Sequence, residues 1–166
     1  PAGIGVVQAD LDIVYDPDPR ACARNVAAFV DRISRIGPSV VYLQAFADED
    51  GDGVVKSAYF PNRVLPMKAD LFGRACRALS LAGIRVYAWM PMLGLRLPDD
   101  AENERLRVKQ RKGGKVSVSS SWYSNRLSPF SEEAVGKLEA IYEDLASIAM
   151  IDGVLFQDDG YLSDYE

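Results

Sequence analysis

Two adjacent carboxylates, Asp158 and Asp159, end a short apolar run towards the end of the sequence. The run covers residues 153–160, and a glycine stands at each of its limits. A short apolar run of this kind is typical of a buried strand in a parallel sheet, and α/β enzymes place their chemistry where such strands end. Asp158 and Asp159 are therefore the candidate catalytic residues. The alternative is that they only cap a loop, as Asp often does beside Gly.

Histidine is absent from the chain, which narrows the chemistry available to it. Without histidine there is no Ser-His or Cys-His nucleophile pair and no zinc site with a histidine ligand. Proton transfer then falls to carboxylates, tyrosine or lysine. We predict no metal and no cofactor.

Composition indicates one folded domain with an acidic balance. The 166 residues are 48% hydrophobic, enough to bury one core, so we predict a single domain over residues 1–166. A net charge of -5 argues against DNA or RNA as a partner, because phosphate binding needs clustered lysine and arginine. A cationic ligand fits better. Because the first residue is Pro1 and not methionine, we expect the chain to be a piece of a longer protein.

Hydrophobic periodicity predicts alternating strands and helices. Strands are predicted over 4–14, 39–46 and 84–93, and from residue 153 up to the pair Asp158 and Asp159; helices are predicted over about 20–36, 67–81 and 131–152. Between the third strand and the last helix, two alternating runs, 105–112 and 115–119, flank a Gly-Gly turn. These runs predict a β-hairpin, and its basic residues are interpreted as a solvated face.

The order of these elements predicts the fold. Right-handed β-α-β connections make the strands parallel, with the helices outside. Four β/α units are half of a (β/α)8 barrel of the TIM type. We predict an α/β fold in which this chain supplies about the first four β/α units of such a barrel, with the β-hairpin inserted after the third strand. The alternative is a small open parallel sheet that is complete in itself.

Polar and aromatic side chains collect where the predicted strands end, so that a parallel sheet would gather them at one rim. On the first strand, the period of two places Asp10 and Asp12 on one side, together with Gln8. Trp89 suits either the core or stacking on a sugar ring. The predicted substrate-binding residues are Asp10, Asp12, Gln44, Asp48, Tyr87, Trp89, Trp122 and Gln157.

The loop over residues 48–53 alternates aspartate with other residues and contains two glycines. This pattern matches the first half of an EF-hand calcium loop. The second half does not match, because Tyr59 stands where the bidentate glutamate should be and no helix precedes the loop. We therefore interpret the loop as a solvated turn, with calcium binding as the alternative.

The two cysteines, Cys22 and Cys76, lie far apart in the sequence and form no CxxC motif. Both fall on the apolar faces of predicted helices, so we expect buried free thiols. A disulfide between them is the alternative for an exported protein.

Several blocks of sequence, spread over nearly the whole chain, resemble the C-terminal domain of the PgaB family. The blocks are 8–17, 41–48 with 50–53, 60–63, 87–91, 126–130, 156–159 and 162–166. Members of this family are exported bacterial poly-β-1,6-N-acetyl-D-glucosamine N-deacetylases of biofilm systems. The resemblance covers only the front part of the family's C-terminal domain, which is a (β/α)8 barrel.

The resemblance implies a glycoside hydrolase that binds and cleaves partly de-N-acetylated poly-β-1,6-N-acetyl-D-glucosamine in an acidic groove. It implies a parent protein with the remainder of the barrel and an N-terminal, metal-dependent deacetylase domain, located in the periplasm or at the outer membrane. The family's acidic motif carries over to Asp158 and Asp159. Where that motif often begins with histidine, this chain has Gln157, so a titratable role at that position is not expected.

Glycoside hydrolysis usually needs two carboxyl groups, one to protonate the leaving oxygen and one to activate water or attack the sugar. Asp158 and Asp159 are adjacent, so on a strand they point to opposite sides and do not form the couple. We expect one of them to donate the proton, with a partner from Asp10, Asp12, Asp48 or the rest of the barrel. A non-catalytic module that binds the same polymer is the alternative.

Overall fold

The computed structural model describes residues 5–120, 125–148, 150–163 and 165–166. Its strands are β1 (Val6–Asp10), β2 (Val40–Gln44), β3 (Phe46–Ala47), β4 (Ser57–Ala58), β5 (Arg85–Met90), β6 (Lys109–Lys112), β7 (Lys115–Val118) and β8 (Gly153–Phe156). Its α-helices are α1 (Pro19–Ile36), α2 (Phe72–Leu81), α3 (Asp100–Leu106) and α4 (Glu132–Ile148), and a 3-10 helix covers Leu11–Ile13.

A four-stranded parallel sheet organises these elements, with its strands side by side in chain order, β1-β2-β5-β8. Chain order means that each connection returns to the next position on the same side, as in a barrel wall. The predicted α/β fold with a parallel sheet is thus observed. Within the described residues, no helix combines the length and the apolar character needed to cross a bilayer.

The two faces of the sheet differ in character. On the helix side, Ala9, Leu43 and Ala88 stand next to one another and are buried in the core. On the other side, two rows cross the strands, and on β1, β2 and β5 their members are polar or aromatic. The row nearer the amino ends is Gln8, Tyr42, Tyr87 and Gly153, and the row nearer the carboxyl ends is Asp10, Gln44, Trp89 and Leu155. The carboxyl-end row therefore delivers polar groups to one rim.

Helix α1 shows how local sequence sets an element of this fold. The Asp18 carboxylate accepts hydrogen bonds from two backbone N–H groups of the first turn, and Pro19 takes the first helical position, where an N–H is not needed. Gly37 ends the helix with a φ of 68°, in the left-handed region that favours glycine. The buried stripe of α1 is Cys22, Phe29 and Ile33.

Several predicted elements have other bounds in the structure. The helix predicted over 67–81 begins at Phe72, the last helix ends at Ile148, and the last strand ends at Phe156, before Asp158 and Asp159.

The hairpin and the first strand also differ from their predicted bounds. The hairpin was predicted to begin at Arg105, but its strands are only β6 and β7, because α3 runs to Leu106. The Asp99 side chain caps α3 by accepting from the N–H of Glu102 at 2.7 Å. The first strand was predicted to reach Val14, but it ends at Asp10, where the chain turns into the 3-10 helix.

Both cysteines are buried free thiols, as predicted. Cys22 lies on the buried stripe of α1, and the Sγ atom of Cys76 donates to the carbonyl oxygen of Met150 at 3.1 Å. Burial raises the pKa of the Cys76 thiol above its ordinary value. The disulfide alternative is not observed.

A pair of glycine substitutions tests the packing of the open sheet face. A Cβ atom at Gly153 would lie 2.6 Å from Cε1 of Tyr87, so Gly153→Ala should lower the free energy of unfolding by about 1–3 kcal/mol. Gly136, on α4, has no heavy atom within 4 Å of its Cβ direction, so Gly136→Ala should raise stability by about 0.5–1 kcal/mol. Chemical denaturation of both variants measures the difference. Equal stability of the two would show that the Tyr87 ring moves aside freely.

Candidate active site

A cleft of about 470 Å³ opens at the carboxyl ends of the parallel strands. This volume is in the range of small-molecule sites. Five residues predicted from the sequence line it: Gln44, Asp48, Trp89, Gln157 and Asp158. The cleft therefore brings together residues from the ends of β2, β5 and β8 and from the loop after β3.

Asp158 and Asp159 lie in different environments. Asp158 is exposed and lines the cleft, whereas Asp159 is fully buried. The Asp159 carboxylate accepts hydrogen bonds from three successive backbone N–H groups, those of Met92 (2.7 Å), Leu93 (2.9 Å) and Gly94. These donors use both of its oxygens, so its position fixes the loop that follows β5.

Gly94 is required at the point where two loops meet. A Cβ atom there would lie 2.7 Å from Oδ2 of Asp159 and 3.3 Å from the carbonyl oxygen of Gly53, so only glycine fits. The Gly94 carbonyl accepts from the N–H of Val55 at 2.8 Å, and the Val55 carbonyl accepts from the N–H of Arg96 at 2.9 Å. The loop after β5 thus supports the far end of the loop that carries Asp48.

Helix α4 also holds the loop after β5. The Tyr142 hydroxyl donates to the carbonyl oxygen of Pro91, and the Tyr142 ring packs edge-on against Phe156 at 5.5 Å between centroids. Burial, and then the charge of Asp159, raise the pKa of Tyr142, so its hydroxyl stays protonated and can donate. The last strand, the last helix and this loop form one connected unit.

Asp12 lies in the 3-10 helix after β1, and its carboxylate accepts three hydrogen bonds. Its Oδ1 accepts from the Tyr59 hydroxyl at 2.6 Å, and its Oδ2 accepts from Nε2 of Gln44 at 3.1 Å and from the N–H of Asp48 at 3.0 Å. The prediction that Asp12 continues the alternation of the first strand is wrong, because these three donors draw its carboxylate across the end of β2. Asp12 therefore orients the start of the Asp48 loop.

The pKa values of two carboxyl groups near the carboxyl ends of the strands, Asp48 and Asp10, are raised. For Asp48 the main cause is burial, which is opposed by the Gly53 N–H at 3.3 Å and reinforced by neighbouring aspartates. For Asp10 the main cause is again burial, followed by the charge of Asp12. Asp10 ends β1 but does not line the cleft. Asp48 is thus a cleft carboxyl group that retains a proton more readily than an exposed aspartate.

The loop over residues 48–53, called the acidic loop below, contains three carboxylates that together could hold a metal ion. Oxygens of Asp48, Asp50 and Asp52 lie within 4.8 Å of one another. The ammonium of Lys56 contacts Asp50 and lies 2.9 Å from Oδ2 of Asp52, and its hydrogen bond lowers the pKa of Asp50. A single internal cation, the ammonium of Lys56, therefore already contacts two of the three carboxylates.

Of the aromatic residues predicted to bind substrate, Trp89 lines the cleft and Tyr87 packs against a neighbouring ring. Trp89 lines the cleft, with its ring edge-on to Phe46 at 6.0 Å. Tyr87 lies two residues earlier on the same face, packs edge-on against Tyr42 at 5.9 Å, and does not line the cleft. Trp122 lies outside the described residues.

Sequence reasoning missed part of the cleft lining. The missed residues are Gln8, Phe46, Gly51, Asp52, Gly53, Leu155 and Phe156. The strand period already placed Gln8 on the side of Asp10, and this was the signal that could have found it. The loop members Gly51 to Gly53 carried no such signal, because a turn pattern does not show where the turn folds.

The cleft combines groups suited to carbohydrate chemistry. It offers an exposed carboxylate on Asp158, a carboxyl group of raised pKa on Asp48 and the indole of Trp89. Paired carboxyl groups and an aromatic platform are what glycosidic bond cleavage and sugar binding use.

Comparison with known proteins gives a matching family model and similar curated relatives. The model of hypothetical glycosyl hydrolase family 13 matches residues 8–166. The chain is 44% identical over 164 residues to the poly-beta-1,6-N-acetyl-D-glucosamine N-deacetylase of Escherichia coli K12, and equally to that of Escherichia coli O157:H7. The match covers 97% of this chain but 24% of each relative. The chain thus spans about a quarter of the length of these relatives.

Solved structures give the same picture at the level of the fold. The PgaB (BpsB) glycoside hydrolase domain from Bordetella bronchiseptica matches with a TM-score of 0.85 and 46% identity, over 98% of this chain and 46% of that chain. The maltogenic alpha-amylase AmyB from Thermotoga neapolitana matches with a TM-score of 0.63 and 11% identity, over 96% of this chain and 40% of that chain. At this identity the amylase shows a shared fold alone.

Asparagine substitutions at the two adjacent aspartates should separate their roles. Asp159→Asn replaces an oxygen that accepts backbone N–H groups by an amide that donates, and should lower the free energy of unfolding by about 2–3 kcal/mol. Asp158→Asn changes an exposed, nearly isosteric group and should alter stability by no more than about 0.5 kcal/mol. Urea titrations of the two variants measure the contrast. A stable Asp159→Asn variant would contradict the assigned role of the three hydrogen bonds.

The raised pKa of Asp10 predicts a pH-dependent stability difference. Because its folded pKa lies above the ordinary 3.8, ionised Asp10 destabilises the fold at neutral pH, so Asp10→Asn should be more stable there. The advantage should disappear as the pH falls through the folded pKa to below 3.8, where both states are protonated.

Asp31→Asn is the control of opposite sign, since a hydrogen bond from Arg35 lowers the pKa of Asp31. This variant should lose stability at neutral pH, and its deficit should shrink only below pH 3.8, as the pH falls through the lowered folded pKa. Unfolding free energies measured from pH 3 to 7 test both curves. An Asp10→Asn difference that is constant with pH would be inconsistent with the burial of an ionised carboxylate.

Proposed function

We propose, because this chain belongs to hypothetical glycosyl hydrolase family 13, that it is part of a glycoside hydrolase that cleaves partly de-N-acetylated poly-β-1,6-N-acetyl-D-glucosamine. The family match and the similarity to the Bordetella hydrolase domain confirm the resemblance to the PgaB family drawn from the sequence blocks. The observation that carries the proposal is the cleft at the strand ends, which contains Asp158, Asp48 and Trp89.

We assign Asp158 to the chemistry and Asp159 to its support. Asp158 is exposed on the cleft, where its carboxyl group can reach a bound sugar. Asp159, the other candidate, keeps both oxygens on backbone N–H groups, so it acts by fixing the loop beside Asp158. The second carboxyl group of the couple comes from Asp48 or from the strands that complete the barrel.

The charge of the cleft supports a substrate with free amino groups. Asp48 and Asp158 face a ligand that carries an ammonium wherever an acetyl group has been removed, and opposite charges attract more strongly where water is partly excluded. An incoming ammonium would also offset the burial that raises the pKa of Asp48. Trp89 offers a ring face to the sugar.

The lengths of the relatives support a larger parent protein. The chain corresponds to 46% of the solved hydrolase domain and 24% of the curated deacetylases. We propose that the four strands seen here form the front half of a (β/α)8 barrel, which the remainder of the parent protein completes. We further propose an N-terminal deacetylase domain and a place in the periplasm or at the outer membrane, both by similarity to these relatives.

Turnover by the full-length protein tests the proposed function. Partly deacetylated polymer should be shortened to oligosaccharides detectable by mass spectrometry, and Asp158→Asn should reduce this cleavage at least about 100-fold by removing proton transfer. Asp31→Asn, an aspartate on the outer surface of α1, is the matched control and should cleave normally.

The outcomes separate a hydrolase from a binding module. Binding of the polymer without any cleavage by the unsubstituted protein would favour a non-catalytic module that uses the same cleft. Full activity of Asp158→Asn would remove this residue from the chemistry. Both measurements need only the polymer, the two variants and the unsubstituted protein.

A further inference from the structure

The loop that carries Asp48 is anchored at both ends by backbone hydrogen bonds. At its start, the N–H of Asp48 donates to Oδ2 of Asp12 at 3.0 Å. At its far end, the N–H of Val55 donates to the carbonyl oxygen of Gly94 at 2.8 Å. The part between these anchors lines the cleft, so its position affects what Asp48 can reach.

A side chain from the end of β8 reaches this middle part. Nε2 of Gln157 donates to the carbonyl oxygen of Gly53 at 3.2 Å. Gln157 is also the residue immediately before Asp158. The contact therefore joins the loop that carries Asp48 to the backbone segment that carries Asp158.

The glutamine makes this contact although none of the described residues donates to its other amide atom. Oε1 of Gln157 is buried, and no residue in the described part of the chain donates to it. A buried acceptor without a donor destabilises a fold. Turning the amide over would place Oε1 against the Gly53 carbonyl, where two acceptors repel, so the orientation is fixed. Stability alone does not account for glutamine here, whereas a positioning role does.

We propose that Gln157 is a positioning residue that sets where Asp48 stands relative to Asp158 across the cleft. The inference rests on the proposed function, because it concerns the reach of these two groups to one bound sugar. Without the hydrogen bond to Gly53, the loop keeps both anchors but its middle is released from β8. A displacement of about 1 Å between reacting groups can cost about 100-fold in rate.

Gln157→Leu removes the donor while keeping a side chain of similar bulk. We expect kcat/KM on partly deacetylated polymer to fall by about tenfold to 100-fold, measured with the full-length protein at several pH values. The ratio of this variant to the unsubstituted protein should not change with pH, since leucine does not titrate.

Gln157→Glu restores a donor to Gly53 only in acid, so recovery there above the level of Gln157→Leu, which cannot donate at any pH, indicates the hydrogen bond. At neutral pH the introduced carboxylate faces the Gly53 carbonyl, Asp48 and Asp52 from the loop, and Asp158 from its own segment; Lys56 lies beyond Asp52. Repulsion should then open the loop and lower kcat/KM. In acid the introduced carboxyl group is protonated and can donate to Gly53, so the ratio to the unsubstituted protein should rise as the pH falls.

Hydrogen–deuterium exchange measures how firmly the loop is held, independently of turnover. Amides of residues 49–55 should exchange faster in Gln157→Leu than in the unsubstituted protein, while peptides from α1 should be unchanged. If the unsubstituted protein does not cleave the polymer, the proposed function fails, but faster exchange still supports the positioning of the loop. Unchanged exchange and unchanged kcat/KM in Gln157→Leu would overturn the inference, as would a Gln157→Glu variant that follows Gln157→Leu at every pH.

Discussion

The hydrogen bonding of one buried carboxylate holds the carboxyl-end rim together. Asp159 gathers the N–H groups of three successive residues, which would otherwise be buried without acceptors in a tight turn. The turn then brings Gly94 to the end of the acidic loop, where Val55 bonds to it. Three loops from three strands thus derive their placement from the hydrogen bonds of a carboxylate that is fully buried.

Much of the fold follows from sequence patterns, because burial imposes a period on each element. The parallel strands and the helices α1 and α4 were predicted from alternation, buried stripes and capping residues. Helix α3 was missed because its last two residues, Arg105 and Leu106, fall in the alternating run that was assigned to the hairpin, and the cap at Asp99 was not used as a helix signal. The β3–β4 pair was missed because strands of two residues leave no period to detect.

The candidate site was harder to predict, and the residues show why. Asp158 and Asp159 lie in different surroundings, but the predicted cause, strand alternation, does not apply, because β8 ends at Phe156 and both residues lie in the turn that follows. Which of them faces the cleft depends on the loop after β5. Asp12 was misplaced for a related reason. Its partners Gln44, Asp48 and Tyr59 lie at least 32 positions away in the chain, and contacts at such separations leave no trace in local periodicity.

Because the rim depends on Asp159, the residues that bond to this carboxylate are free to change to different extents during evolution. The partners of its carboxylate are peptide N–H groups, which every residue except proline provides, so the bonds themselves do not prescribe the side chain at Met92, which is 40% exposed. Gly94 has no such latitude, because its missing side chain is the space that Asp159 fills. Other rim residues could therefore change to suit another ligand, while the acid and the glycine, 65 positions apart, are inherited together.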